Sequence, residues 1–218
     1  MDVEKILVPQ GYPKIRRLPL GNIVPGKEDT FMPMKHVKEL LAQAVTVEEK
    51  MDGKITTFRA DKDRFLVFGE DLKWKHSIYY KVPARYALLD IFDKNRKLFL
   101  SYDEKSSIFD SIKRGNVKIE DQNEFNFFKV PLLERGRFEL DQLPSKIRIS
   151  KYAYDPEKKE YTYCEGIVIK PSRSLFLVEF ERYVAKLVRK EFTEGITDNY
   201  IHRPKIPNEI NPTYAASE

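Results

Sequence analysis

Short runs of alternating side chains, closed by polar turns, most limit the folds open to this chain. Ile55, Thr57 and Arg59 alternate with Thr56, Phe58 and Ala60; Asp61-Lys62-Asp63 supplies a turn, and Phe65-Leu66-Val67-Phe68 returns. Such a pattern predicts a β-hairpin. Further strands are predicted at residues 45–47, 85–92, 97–102, 125–133, 146–154, 161–163, 165–170 and 183–189. A helix is predicted at 34–44, where Val37, Leu40, Leu41 and Ala44 fall at helical spacing. Another is predicted at 104–114, where Ile108, Phe109 and Ile112 share a face and Gly115 is a stop. Residues 1–33 read as irregular, broken by Pro9, Pro13, Pro19, Pro25 and Pro33 and by Gly11, Gly21 and Gly26. The tail from His202, with Pro204, Pro207 and Pro212, reads as extended coil. Hairpins with interspersed helices predict an α+β fold of antiparallel sheets flanked by helices.

A chain of 218 residues fits one large domain or two small ones. No apolar stretch is long enough to span a bilayer, and Met1-Asp2-Val3-Glu4-Lys5 does not start a signal peptide. Cys164 is the single cysteine, so an intrachain disulfide and a cysteine zinc site are both excluded. These features lead us to expect a cytoplasmic protein with no membrane partner; they leave its oligomeric state open. The net charge of +5 permits a nucleic-acid partner without requiring one. His36, His76 and His202 lack metal-ligand spacing, and no Gly-x4-Gly-Lys phosphate loop occurs.

The most reactive string is Glu48-Glu49-Lys50-Met51-Asp52-Gly53. A lysine amine attacks phosphorus only when deprotonated, and burial or nearby cations lower its pKa. Asp52-Gly53 is expected to form a tight turn that aims the amine into a cleft. Gly69-Glu70, Leu88-Leu89-Asp90-Ile91, Glu165-Gly166-Ile167-Val168-Ile169-Lys170 and Ala185-Lys186-Leu187-Val188-Arg189 follow in that order. Together these strings resemble the ordered motifs of the covalent nucleotidyltransferases, the superfamily of ATP-dependent polynucleotide ligases and RNA capping enzymes. The stretch from Gly69-Glu70 through Lys75-His76 and Tyr79-Tyr80 to Val82-Pro83 and Asp90-Ile91 is similar to the RNA ligase branch. Tyr12-Pro13-Lys14-Ile15-Arg16-Arg17-Leu18-Pro19 also resembles the start of that branch.

The resemblance implies a nucleotidyltransferase domain, an ATP-grasp-like adenylation fold, over residues 1–201, with a Pro-rich tail at 202–218. It leaves no room for an OB-fold domain before the chain ends. It implies an ATP-dependent RNA ligase that joins 5′-phosphate and 3′-hydroxyl ends through a lysyl-AMP on Lys50. ATP and Mg2+ or Mn2+ are the implied cofactors, and RNA ends the implied partner. A small DNA ligase, or a degenerate member that only binds nucleic acid, is the alternative.

By the same resemblance Glu49 accepts from the adenine amino group and Asp52 shapes the turn. Glu70 meets the ribose hydroxyls or a divalent metal, and Glu165 positions the metal or its water. Lys186 contacts the α-phosphate, and Arg189 assists. The metal ligands themselves stay unassigned. Strand alternation puts Glu48, not Glu49, on the face of Lys50, whereas the motif favours Glu49. Ile55 stands where many ligases carry an arginine or asparagine for the ribose, with Lys54 and Arg59 as substitutes. Leu88 and Leu89 replace an aromatic that stacks on adenine, which leaves Tyr86 as the nearest ring.

Overall fold

The structure, a computed structural model, describes residues 8–20, 30–120, 126–194 and 205–217. Its strands are β1 (Arg16–Arg17), β2 (Val45–Lys50), β3 (Lys54–Ala60), β4 (Phe65–Asp71), β5 (Tyr79–Val82), β6 (Tyr86–Asp93), β7 (Leu98–Phe99) and β8 (Phe127–Lys129). They continue with β9 (Leu132–Gly136), β10 (Ile149–Asp155), β11 (Glu160–Tyr163), β12 (Gly166–Pro171), β13 (Leu175–Phe176), β14 (Ala185–Val188) and β15 (Glu209–Ile210). The helices are α1 (Met34–Leu41), α2 (Tyr102–Lys113), α3 (Leu177–Tyr183) and α4 (Lys190–Glu194).

The strands form three sheets. One runs β1-β14-β12-β2-β9, the second β13-β7-β6-β4-β3 with β8 beside β6, and the third β11-β10-β5-β15. Most pairs are antiparallel, whereas β1·β14, β6·β8 and β5·β15 are parallel. The predicted hairpin is β3–β4, in register from Lys54↔Asp71 to Ala60↔Phe65.

Alternation sorts the five-stranded sheet into two chemically different faces. Val45, Val47, Ile167, Ile169, Ala185 and Leu187 pack with Val37 and Leu40 of α1 in one core cluster. The residues between them, Glu48, Lys50, Val168, Lys170 and Lys186, take the other face. There the sheet meets the six-stranded one, whose Leu66, Phe68 and Phe92 pack with Phe180 of α3 and with Tyr12. On its far side the six-stranded sheet packs Phe58, Val67 and Leu88 against Phe109 and Ile112 of α2. That helix starts at a capping box: Ser101 Oγ accepts from the Glu104 amide, and the Glu104 carboxylate accepts from the Ser101 amide.

Several expectations need correction. The strand expected at 45–47 continues through Lys50, so the lysine sits on the sheet and not beyond it. The expected strand 183–189 is only Ala185–Val188, because Tyr183 ends α3, which the sequence reading did not anticipate. Region 125–133 splits into β8 and β9 around Pro131. Lys146 belongs to a 3-10 turn, Leu140–Lys146, ahead of β10. The tail is not all coil, since β15 pairs with β5 and Pro212–Ser217 forms a 3-10 turn. Phe125, Gly21, Gly26, Pro25, His202, Pro204 and the 201/202 boundary lie outside the described residues.

Gly166 marks the tightest approach in the five-stranded sheet. A Cβ there would lie 2.1 Å from the Leu187 carbonyl oxygen and 2.9 Å from Val188 Cα. Both are backbone atoms and cannot swing away. Gly166→Ala is therefore expected to cost about 2–3 kcal/mol, as overpacking does. A urea midpoint at the wild-type value would refute this.

Candidate active site

The facing sides of the five- and six-stranded sheets line a cavity of about 640 Å³. That falls within the roughly 300–1,000 Å³ of ligand pockets. β2 contributes Glu48, Glu49 and Lys50, β12 contributes Val168 and Lys170, and β14 contributes Lys186. Ile55, Glu70 and Leu89 line the opposite side, and Tyr12 to Ile15 close one edge.

Lys50 Nζ lies 2.5 Å from Glu165 Oε2, and both side chains are largely buried. Burial, the largest influence, acts to lower the lysine pKa. The Glu165, Asp52 and Glu70 carboxylates outweigh it and hold the amine above its usual value. The expectation of a lowered pKa is thus overturned, because the charges around this amine are anionic. Glu165 is itself pushed upward, by burial first, against the pull of Lys50.

Glu70 Oε1 accepts from the Gly53 amide at 3.0 Å. Burial raises its pKa to about 7, with Lys50 opposing. Asp52 does not line the cavity; its carboxylate accepts from the amides of Ser77 (2.6 Å) and Ile78 (3.3 Å). It therefore pins the crossing from β2 to β3, which joins two sheets and is not a hairpin turn. Arg189 also stands outside the cavity lining. Its Nε donates to the Cys164 carbonyl at 2.8 Å, and its amide donates to the Glu165 carbonyl at 3.0 Å. It clips the chain that carries Glu165.

The two acids before Lys50 have different surroundings. Glu48 lies on the Lys50 face, as alternation predicts, and its Oε2 meets Lys105 Nζ at 2.8 Å and Lys170 Nζ at 3.3 Å. Glu49 borders the cavity too, but its Oε1 accepts from Ser150 Oγ at 2.6 Å. Glu48 Oε1 and Glu49 Oε2 are buried acceptors with no hydrogen-bond partner. Buried acceptors of this kind call for a donor, such as a ligand's amino group.

Beneath this wall Lys170 Nζ sits 2.9 Å from both Asp90 carboxylate oxygens. Asp90 also accepts from the Tyr12 hydroxyl. The ring left as an adenine neighbour, Tyr86, is not in the cavity: it packs in the core against Phe58 and Phe127. Met51, Ile55, Leu89, Val130 and Val168 give the cavity apolar walls. Lys105 was missed in the sequence, although it shares a helical face with Ile108, Phe109 and Ile112. A lysine on such a face requires a buried counter-charge.

Glu49 gives the site a measurable pH signature. Burial raises its carboxyl from 4.5 to about 7 against the Ser150 hydrogen bond and the Arg148 charge. The folded state then holds more protons than the unfolded one between those values, so stability falls as pH rises through that window. The full shift corresponds to about 3 kcal/mol. Glu49→Gln is expected to remove part of the wild-type decline in urea midpoint between pH 4.5 and 7, the rest coming from Glu70. Parallel profiles for the two proteins would contradict it.

Among the described residues no three His, Cys, Asp or Glu side chains group closely enough to hold a metal ion alone. No described helix is long and apolar enough to cross a membrane. A model of the RNA ligase family matches residues 36–188. No curated protein matches. Solved structures of Naegleria gruberi RNA ligase variants do, at low identity. One with ATP and Mn is 14% identical, with a TM-score of 0.48, over 73% of this chain and 54% of that one. One with AMP and Mn is 15% identical, with a TM-score of 0.48, over 75% and 55%. The chain spans about half the length of these structures. The family match runs from α1 to the end of β14, so it takes in Lys50, Glu70, Glu165 and Lys186, and the chain belongs to the RNA ligase family.

Proposed function

We propose that the chain is an ATP-dependent RNA ligase that works through a covalent lysyl-AMP on Lys50. The observation that carries this reading is the Lys50 amine on a cavity wall, paired to Glu165 and sharing the cavity with Lys186 and Glu70. In the first step Lys50 passes its ammonium proton to the Glu165 carboxylate it pairs with, and the freed Nζ lone pair attacks the α-phosphorus of ATP. An N–P bond forms, the bond to the bridging oxygen breaks, and pyrophosphate leaves. Lys186 offers positive charge to the phosphoryl oxygens as the crowded phosphorus forms. AMP then passes to an RNA 5′-phosphate, and a 3′-hydroxyl displaces it to seal the strand.

The cavity fits such a ligand. Its volume suits a nucleotide, and its buried acceptors, Glu48 Oε1 and Glu49 Oε2, suit a base amino group. Leu89 and Val168 supply apolar contact to the base. Glu70 and Glu165 are the carboxylates available to Mg2+ or Mn2+, which such sites hold through one or two carboxylates plus substrate phosphates. A divalent cation there would offset the carboxylate charge that keeps Lys50 protonated.

The test is intact mass after incubation with ATP and Mg2+, then Mn2+. One adenylyl group per chain is expected, mapped to the Lys50 peptide and released by acid. No mass gain with either metal ends the proposal. Sealing of matched RNA and DNA substrates then decides which nucleic acid is joined.

A further inference from the structure

One face of the four-stranded sheet is spent on the core: Tyr80, Val82, Tyr152 and Ala153 pack with Met51 and Leu72. The other face carries a row of tyrosines. Tyr79 of β5 pairs with Tyr154 of β10, which pairs with Tyr161 of β11. Their rings sit 6.5 Å and 5.4 Å apart. Tyr163, two residues along β11, falls on the same side as Tyr161. Tyr161 and Tyr163 are 43% and 48% exposed.

Cations are interleaved with the rings. Lys81 Nζ sits 3.8 Å above the Tyr154 ring while pairing with Glu209 at 3.5 Å. The Arg189 guanidinium lies 5.6 Å from the Tyr163 ring. The row ends toward the Lys50–Glu165 pair: Arg189, next to the Tyr163 ring, donates its amide to the Glu165 carbonyl at 3.0 Å. Cross-strand tyrosine pairs stabilise a sheet by only about 0.2–1 kcal/mol each. That accounts for Tyr154 better than for the open rings of Tyr161 and Tyr163.

We propose that this tyrosine face is a stacking platform that leads single-stranded RNA to the Lys50 cavity. The inference rests on the RNA ligase reading and extends it to how the substrate is held. Sequence-tolerant binders of single strands combine aromatic faces for the bases with cations for the backbone. The tyrosines and the Lys81 and Arg189 charges supply both, and the overall charge of +5 suits a polyanion. Unstacked bases are needed, so paired RNA fits the face poorly.

Fluorescence anisotropy with a labelled 5′-phosphorylated single-stranded oligoribonucleotide tests this, with self-adenylylation measured in parallel. Tyr161→Ala is expected to weaken binding about fivefold to a hundredfold, the loss of one stacked base. Tyr161→Phe is expected to retain binding, and both variants are expected to adenylylate Lys50 at the wild-type rate. A blunt RNA duplex should compete weakly. Affinity unchanged in Tyr161→Ala and in the Tyr161→Ala/Tyr163→Ala double variant, or equal competition by the duplex, overturns the platform and leaves the ligase reading intact. A wild-type chain that takes no adenylate but binds RNA through Tyr161 supports the platform and defeats the ligase reading.

Discussion

Lys50→Ala and Lys50→Arg are both expected to form no adenylate adduct, whereas only the alanine variant is expected to lose stability. Arginine keeps a positive charge opposite Glu165 but does not give up a proton at accessible pH, so it cannot act as the nucleophile. Alanine removes nucleophile and charge together. Among the described residues the other amines lining the cavity are Lys14, Lys170 and Lys186: Lys170 is tied to Asp90 and Glu48, Lys186 stands on β14, two strands from β2, and Lys14 belongs to the edge beside Tyr12. The alanine variant leaves Glu165 buried without its cation. Because burial already raises that carboxyl, it takes up a proton and limits the loss to about 2 kcal/mol. The sign against pH is fixed by the lysine. Its folded pKa is raised, so its contribution is fully present below about 10.5 and disappears as pH climbs through the folded value. Intact mass and urea midpoints for the three proteins check the pattern. An adduct on either variant would remove Lys50 from the mechanism, and an equally unstable arginine variant would remove the ion-pair argument.

Much of the site was legible because its residues alternate along strands. Glu48 and Lys50 share a face by period alone, and β12 and β14 extend that face through Val168, Lys170 and Lys186. The β3–β4 hairpin was legible for the same local reason. What the sequence withheld depends on partners distant in the chain. The charge felt by Lys50 comes from Glu165, which local pattern cannot place 2.5 Å away. Tyr86 looked like a pocket ring by position, yet its side of β6 faces Phe58 and Phe127. Helix α3 escaped notice because Val178 is 76% exposed beside buried Phe180, which blurs any apolar stripe. Lys105 differs: the helical period that groups Ile108, Phe109 and Ile112 also places it among them, so its burial is legible in the sequence.

Lys105→Met is expected to destabilise the protein by about 3–5 kcal/mol, the usual cost of breaking a buried ion pair from one side. Lys105 and Lys170 stand against Glu48 and Asp90, and the four charges balance. The Lys105 side chain is 2% exposed, and so is that of Glu48. Burial is the largest influence on both; it lowers the pKa of Lys105 and acts to raise that of Glu48. Lys105 and Lys170 nevertheless keep the Glu48 carboxyl below its usual value. Methionine fills similar space without charge, so the defect left behind is one excess negative charge, with Glu48 and Asp90 sharing Lys170 alone. Adding Glu48→Gln should return much of the lost stability, because it restores the balance of charge. The single variant should also recover toward acid pH, where Glu48 takes up the missing proton. Urea midpoints for the two single variants and the double variant measure the coupling. A loss under about 1 kcal/mol, or a double variant no more stable than Lys105→Met, would show that this network does not act as one electrostatic unit.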